Sequence, residues 1–163
     1  MSGAPERWDG LTETLLIVAA RRAHLVETIR PALDRVQWVV CDRFADSTLA
    51  YQGYGKDVSL ETLAALHRLI AGDFAPDLTL ILDLPVEDGF NRIQKRPGGK
   101  NRFERMDRAF HERVRGGFLD VAAREPRRCV VIDARQEPAV VAAEIMRTID
   151  THLRSKSGHP ADV

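Results

Sequence analysis

Three short apolar runs constrain the fold of this chain: Trp38-Val39-Val40-Cys41, Leu78-Thr79-Leu80-Ile81-Leu82 and Cys129-Val130-Val131-Ile132. Each is followed by an aspartate, Asp42, Asp83 or Asp133. Between and around them, apolar residues recur at helical spacing. A strand that is nearly continuous in apolar residues is covered on both faces. Strands alternating with helices build a mainly parallel sheet. The expectation is an α/β sandwich of three layers.

Length agrees with one domain that has a real core, since the chain has 163 residues. The hydrophobic fraction of 44% and charged fraction of 29% are those of a globular protein. A formal net charge of +0 argues against a general nucleic-acid or membrane-surface binder, so basic clusters must act locally. The two cysteines, Cys41 and Cys129, lie in apolar runs and read as buried thiols of a reducing compartment. No apolar stretch is long enough to span a bilayer, and residues 1–6 lack signal-peptide character. A cytoplasmic protein is expected.

Asp9 or Thr12 is predicted to cap a first helix that runs to about Ile29 and stops at Pro31. Its inner stripe reads Leu11, Leu15, Val18, Leu25 and Ile29, with Arg22 on the same face. A charge on a buried face needs a partner, either an intrachain carboxylate or the polar edge of a ligand. After the first strand, Ser59 caps a helix with Leu63, Leu66 and Ile70 inward, ended by Gly72. Val86, Phe90 and Ile93 mark a short helix after Pro85. A long helix follows from about Arg105 to Arg124, with Phe110, Val114, Phe118 and Val121 on one side. The last helix starts at Pro138 with Val141, Ile145, Ile149 and Leu153 inward, and residues 154–163 read as a flexible tail.

The run from Val39 to Gly53 carries the chemistry. Asp42-Arg43 ends the first predicted strand, where ligands sit in open α/β sheets. The arginine can grip phosphate bidentately, and the aspartate can face a metal, a cationic side chain or a hydroxyl. Ser47, Thr48, Tyr51 and Gln52 add groups suited to a sugar and a base. A salt-bridged strand end followed by a capped helix is the plainer alternative. Farther on, Arg92, Lys95, Arg96, Lys100, Arg102 and Arg105 crowd around Pro97-Gly98-Gly99. A basic loop with a glycine hinge reads as a lid over polyanionic phosphates, or as a solvated cationic loop.

The Asp-Arg-aromatic…Ser…Ala-Tyr-Gln pattern from Val40 to Gly53 resembles the thymidylate kinases. The likeness extends from about Leu11 to Leu153 in the same order of elements: the Arg22 helix, the Asp42-Arg43 strand, Pro76-Asp77-Leu78-Thr79, the lid and Val131-Ile132-Asp133-Ala134. It implies a P-loop nucleoside-monophosphate-kinase-like sandwich and transfer of the γ-phosphate of ATP to dTMP, giving dTDP for dTTP biosynthesis. Residues 1–153 would be a partial thymidylate kinase domain with a lid at about 92–105. By the same resemblance Arg43 binds the acceptor monophosphate, and Asp42 positions phosphates and Mg2+. Arg22 reaches the thymine carbonyl, Thr48 contacts the base, Tyr51 lies against the deoxyribose and disfavours a 2′-hydroxyl, and Gln52 supports that side. Arg92, Arg96 and Arg102 embrace the phosphates of the co-substrate ATP. The family also implies a homodimer, through helices that include residues 11–29.

Two departures accompany the resemblance. Val18 stands where the family carries a phenylalanine that stacks on thymine. The phosphate-cradling G-x-x-x-x-G-K-[ST] motif is absent from the 163 residues. By the P-loop kinase plan a first strand, the P-loop, a helix and a second strand, roughly fifty residues, would precede Ser2-Gly3-Ala4-Pro5. The expectation is a mis-started or truncated chain with no significant kinase activity by itself. A non-catalytic nucleotide-binding remnant, and another deoxynucleotide kinase of the same fold, are the alternatives.

Overall fold

The computed structural model describes residues 8–95 and 103–157. It divides into two compact units, residues 1–75 with 97–118 and residues 76–96 with 119–163.

The first unit is helical. Asp9 caps α1 (Gly10–His24), its Oδ1 accepting from the Thr12 amide at 2.9 Å. The hydrogen-bond ladder widens to a π-helical turn at Leu25–Ile29 and resumes as α2 (Arg30–Asp34). The helix was predicted to stop at Pro31. It continues because Pro31 falls in the first turn of α2, where no amide donor is needed. Of the predicted stripe, Val18, Leu25 and Ile29 are buried, but Leu11 and Leu15 are exposed, and Glu13 and Thr14 are buried at that end of the helix instead. Leu25 and Ile29 form a core with Phe44 and Ala71, against which Val39, Cys41, Ile70 and Phe74 pack.

The first predicted strand does not form. Residues 37–41 are extended but join no ladder among the described residues. Side chains still alternate as on a strand: Val39 and Cys41 face the core, while Trp38 is 76% and Val40 98% exposed. An apolar run supplies side-chain alternation, but a strand needs a neighbour to accept and donate backbone hydrogen bonds. Cys41 is accordingly only half-buried, and Cys129 is buried; both are free thiols.

The chain then turns into α3 (Ala45–Thr48) and a second π-helical turn, Leu49–Tyr54, closed by the Gly55 amide on the Ala50 carbonyl at 3.0 Å. Ser59 precedes α4 (Leu60–Ala71), and Gly72, at φ 67°, ends it.

The second unit holds the parallel sheet. β1 (Thr79–Asp83) pairs in parallel with β2 (Cys129–Asp133), Thr79 opposite Cys129 and Asp83 opposite Asp133. α5 (Val86–Lys95) lies between them in sequence. Before β2 runs α6 (Arg108–Arg124), whose residues up to Phe118 belong to the first unit. It starts three residues later than predicted because Asp107 caps it, accepting from the Phe110 amide at 2.7 Å. α7 (Pro138–Ser157) packs against β2 and takes in residues 154–157, assigned above to the tail. No helix breaker occurs before Gly158, so the helix runs on. Residues 158–163 and the centre of the predicted lid, residues 96–102, lie outside the described residues. The lid's flanks are the end of α5 and a single 3₁₀ turn, Phe103–Arg105.

Two adjacent glycines of α6 have opposite surroundings. A Cβ at Gly117 would come within 2.8 Å of the Tyr54 ring, whereas one at Gly116 meets nothing within 4 Å. Gly117→Ala is therefore expected to destabilise by about 1–3 kcal/mol through overpacking. Gly116→Ala should stabilise by about 0.5–1 kcal/mol through helix propensity. Urea unfolding of the two variants beside the parent protein measures both signs.

Candidate active site

The site residues of the first unit are arranged around one buried carboxylate. Glu13, on α1, is fully closed to solvent. Its Oε1 accepts from Gln52 Nε2 at 2.8 Å, and its Oε2 from Lys56 Nζ at 3.0 Å. Burial pulls the Lys56 ammonium below its ordinary pKa, against the opposing charge of Asp9. Gln52 is itself buried, so it supports the turn from the interior. The bonds tie the second π turn to α1.

Arg21, also on α1, meets that turn. Its Nη2 donates to Thr48 Oγ1 at 2.5 Å and to the Phe44 carbonyl at 3.0 Å. Its guanidinium carbon lies 5.4 Å from the centre of the Phe44 ring, which is held edge-on by Phe74. Burial lowers the Arg21 pKa, while Cys41 and Asp46 act to raise it. Burial likewise pushes the Cys41 thiol up, against the lowering effect of Arg21. Thr48 is 5% exposed, its hydroxyl accepting from Arg21 and keeping its own proton to donate.

At the outer rim, Asp42 and Arg43 are exposed where the extended segment turns. Arg43 has a left-handed backbone, φ 69°, which costs a side-chain-bearing residue about 1–2 kcal/mol. Its Nη2 donates to Tyr51 Oη at 2.8 Å, and its guanidinium carbon stands 4.6 Å from the Tyr51 ring centre. Phe103 at 4.9 Å, Phe110 at 6.2 Å and Phe118 at 6.1 Å hold the Tyr51 ring edge-on.

Of the predicted site residues, Arg43 thus meets Tyr51, with Asp42 beside Arg43 in the chain, while Thr48 meets Arg21 and Gln52 meets Glu13. Arg22 does not join them. It is exposed and donates to the Ile70 carbonyl of α4 at 2.8 Å. Its neighbour Arg21 is the partly buried arginine of α1. Val18 is buried on the same helix. Arg92, in the second unit, donates to the Ala134 carbonyl at 2.8 Å, beyond β2. Arg96 and Arg102 lie outside the described residues. Sequence reasoning missed Arg21, Glu13 and Lys56. The Arg21-Arg22 pair offered a signal for the first. Glu13 and Thr14, polar residues on the buried face, disguised the correct stripe.

The parallel β1–β2 pair with its helices is consistent with the nucleoside-monophosphate-kinase class of fold, and in the helical unit Arg21 meets Thr48 and Arg43 meets Tyr51. The crystal structure of thymidylate kinase from Ehrlichia chaffeensis matches with a TM-score of 0.69 at 33% identity, over 88% of this chain and 68% of that one. A thymidylate kinase of Caulobacter vibrioides is 54% identical over 153 residues, 94% of this chain and 73% of that protein. One of Nitrobacter hamburgensis is 48% identical over 147 residues, 89% of this chain and 64% of that protein. Residues 5–145 match the family model described as Thymidylate kinase, and the chain belongs to that family.

Removing the central carboxylate leaves Lys56 and Gln52 without their acceptor. Glu13→Ala is expected to cost about 3 kcal/mol, as for a broken buried pair. Glu13→Gln, which keeps an acceptor oxygen, should cost less. Thermal unfolding of the two variants at neutral pH gives the comparison.

Proposed function

We propose that the first unit forms the acceptor-nucleotide side of a phosphoryl transfer from ATP to dTMP, yielding dTDP. The observation that carries this reading is the pair of arginines placed differently around Thr48 and Tyr51. Arg43, exposed and fixed at one Nη, suits the monophosphate. Arg21, half-buried against Phe44 and Thr48, suits the uncharged base edge, where a carbonyl accepts from a guanidinium. The Tyr51 ring, beside Arg43, is backed by three phenylalanines, which suits a steric limit at the sugar.

ATP is the proposed donor, with Arg92, Arg96 and Arg102 as charge-stabilising groups of the lid. No cluster of three metal-ligating side chains occurs among the described residues. The single exposed carboxylate of Asp42 fits Mg2+ of the kind held chiefly by substrate phosphates and water. When bound, that ion neutralises charge on the transferring phosphates. A homodimer is proposed through the outer face of α1 and its continuation, where Leu11, Leu15, Leu16, Val26 and Leu33 are exposed. A cytoplasmic location is supported by two free thiols. Among the described residues no helix is long and apolar enough to cross a membrane.

Calorimetric titration with dTMP and a coupled ADP-release assay test the reading. Arg43→Ala should weaken dTMP binding by about 2–3 kcal/mol, the worth of a charge-assisted pair. Arg21→Ala should weaken it comparably, and Arg22→Ala should leave it within a factor of about two because a surface change costs little. Equal effects of Arg21→Ala and Arg22→Ala would remove Arg21 from the base.

In an active version extended upstream to carry the phosphate-cradling motif, Arg92→Ala should lower kcat with little change in dTMP affinity, the pattern of an interaction made mainly in the transition state. Weakened dTMP binding with kcat unchanged would take Arg92 out of the lid's role.

A further inference from the structure

We propose that the Tyr51 hydroxyl is a positioning group for the acceptor phosphate, acting through Arg43, in addition to any contact its ring makes with the sugar. The inference rests on the reading of Arg43 as the phosphate clamp. The ring of Tyr51 is a fixed platform. Phe103, Phe110 and Phe118 surround it, and Phe110 belongs to a buried cluster with Ala50 and Val114. Its residue lies in the π turn that Gln52 locks to Glu13. The hydroxyl therefore projects from a rigid base.

Arg43 has no such base of its own. It follows an extended segment that lacks a ladder partner among the described residues, and its side chain is exposed. A free arginine at such a place would lose substantial rotamer freedom on binding an anion. The Tyr51 hydroxyl and ring face together restrain it beforehand, at 2.8 Å and 4.6 Å. An arginine has five N–H donors in a planar fork. One N–H of Nη2 is used on Tyr51, and its second N–H remains beside that of Nη1 or of Nε, so one bidentate edge stays open to two oxygens of a phosphate. The left-handed backbone at Arg43 is a second sign of the same arrangement. Local strain is kept where it fixes the direction of a functional side chain. Binding then costs less ordering at the phosphate.

The test separates phosphate from nucleoside. The 163-residue protein is titrated with thymidine 5′-monophosphate and with thymidine, and the ratio of the two Kd values measures what the phosphate adds. Tyr51→Phe removes only the hydroxyl and keeps the packed ring. It should reduce that ratio about tenfold, the size of a hydrogen bond to a charged group. Arg43→Ala should bring the ratio close to one. The double variant should match Arg43→Ala, because the hydroxyl has nothing left to position. An unchanged ratio in Tyr51→Phe, or equal weakening of both ligands, overturns the proposal while leaving Arg43 as the clamp. A ratio near one in the parent protein overturns the clamp itself, and this proposal with it. Circular dichroism of each variant confirms that the compared proteins are folded.

Discussion

The acceptor side of this protein depends on one buried charge, the carboxylate of Glu13. An ionised carboxylate without partners would be far too costly inside a protein. Here one oxygen accepts from an amide and the other from an ammonium, so both are satisfied. Gln52 and Lys56 come from the same short stretch, and together they set where that stretch lies against α1. Within the π turn Gln52 reaches inward while Tyr51, its neighbour, gives its ring to the phenylalanines. π-helical turns often occur at functional sites.

The two arginines follow from that placement. With Thr48 fixed, Arg21 has two oxygen acceptors and an aromatic face within reach, so it can be buried while charged. With Tyr51 fixed, Arg43 can be held in the open. The guanidinium suits both settings because it is planar, weakly hydrated and always charged. The protein needs no overall positive charge to attract a nucleotide, and its formal net charge is +0. Positive charge is concentrated by side-chain geometry instead.

Much of this was legible in the sequence, for reasons that differ by element. β1 and β2 were recovered because each is a short apolar run whose pairing partner is the other. Residues 38–41 have the same composition and alternate in the same way, yet they form no ladder, since a strand is defined by its neighbour. The helices after Ser59, Pro85 and Pro138 were found through their starting residues. The α1 face was read correctly at Val18, Leu25 and Ile29 and misjudged at its start, where Glu13 and Thr14, which periodicity counts as polar, are buried in place of Leu11 and Leu15. Of the two adjacent arginines the more enclosed is Arg21, not Arg22. Arg43, Thr48, Tyr51 and Gln52 escaped the error because their proximity follows from adjacency in the chain.

The sequence reading located the acceptor site at the end of a strand, by the general rule for parallel sheets. The rule points to a stretch whose side chains do have fixed partners, although the geometry rests on something else. Every partner that orients Arg43, Thr48, Tyr51 and Gln52 belongs to the helical unit: Glu13 and Arg21 on α1, Phe103 on the 3₁₀ turn, Phe110 and Phe118 on α6. The described sheet contributes none of these contacts. Precision at this site therefore comes from helix packing and two buried polar contacts, rather than from a hydrogen-bonded ladder. Helices joined by interdigitated aromatic rings hold position nearly as rigidly as a sheet, because protein interiors are close-packed. They also allow a π turn, which a strand end has no means to provide, and within it Tyr51 meets Arg43 while Gln52 meets Glu13.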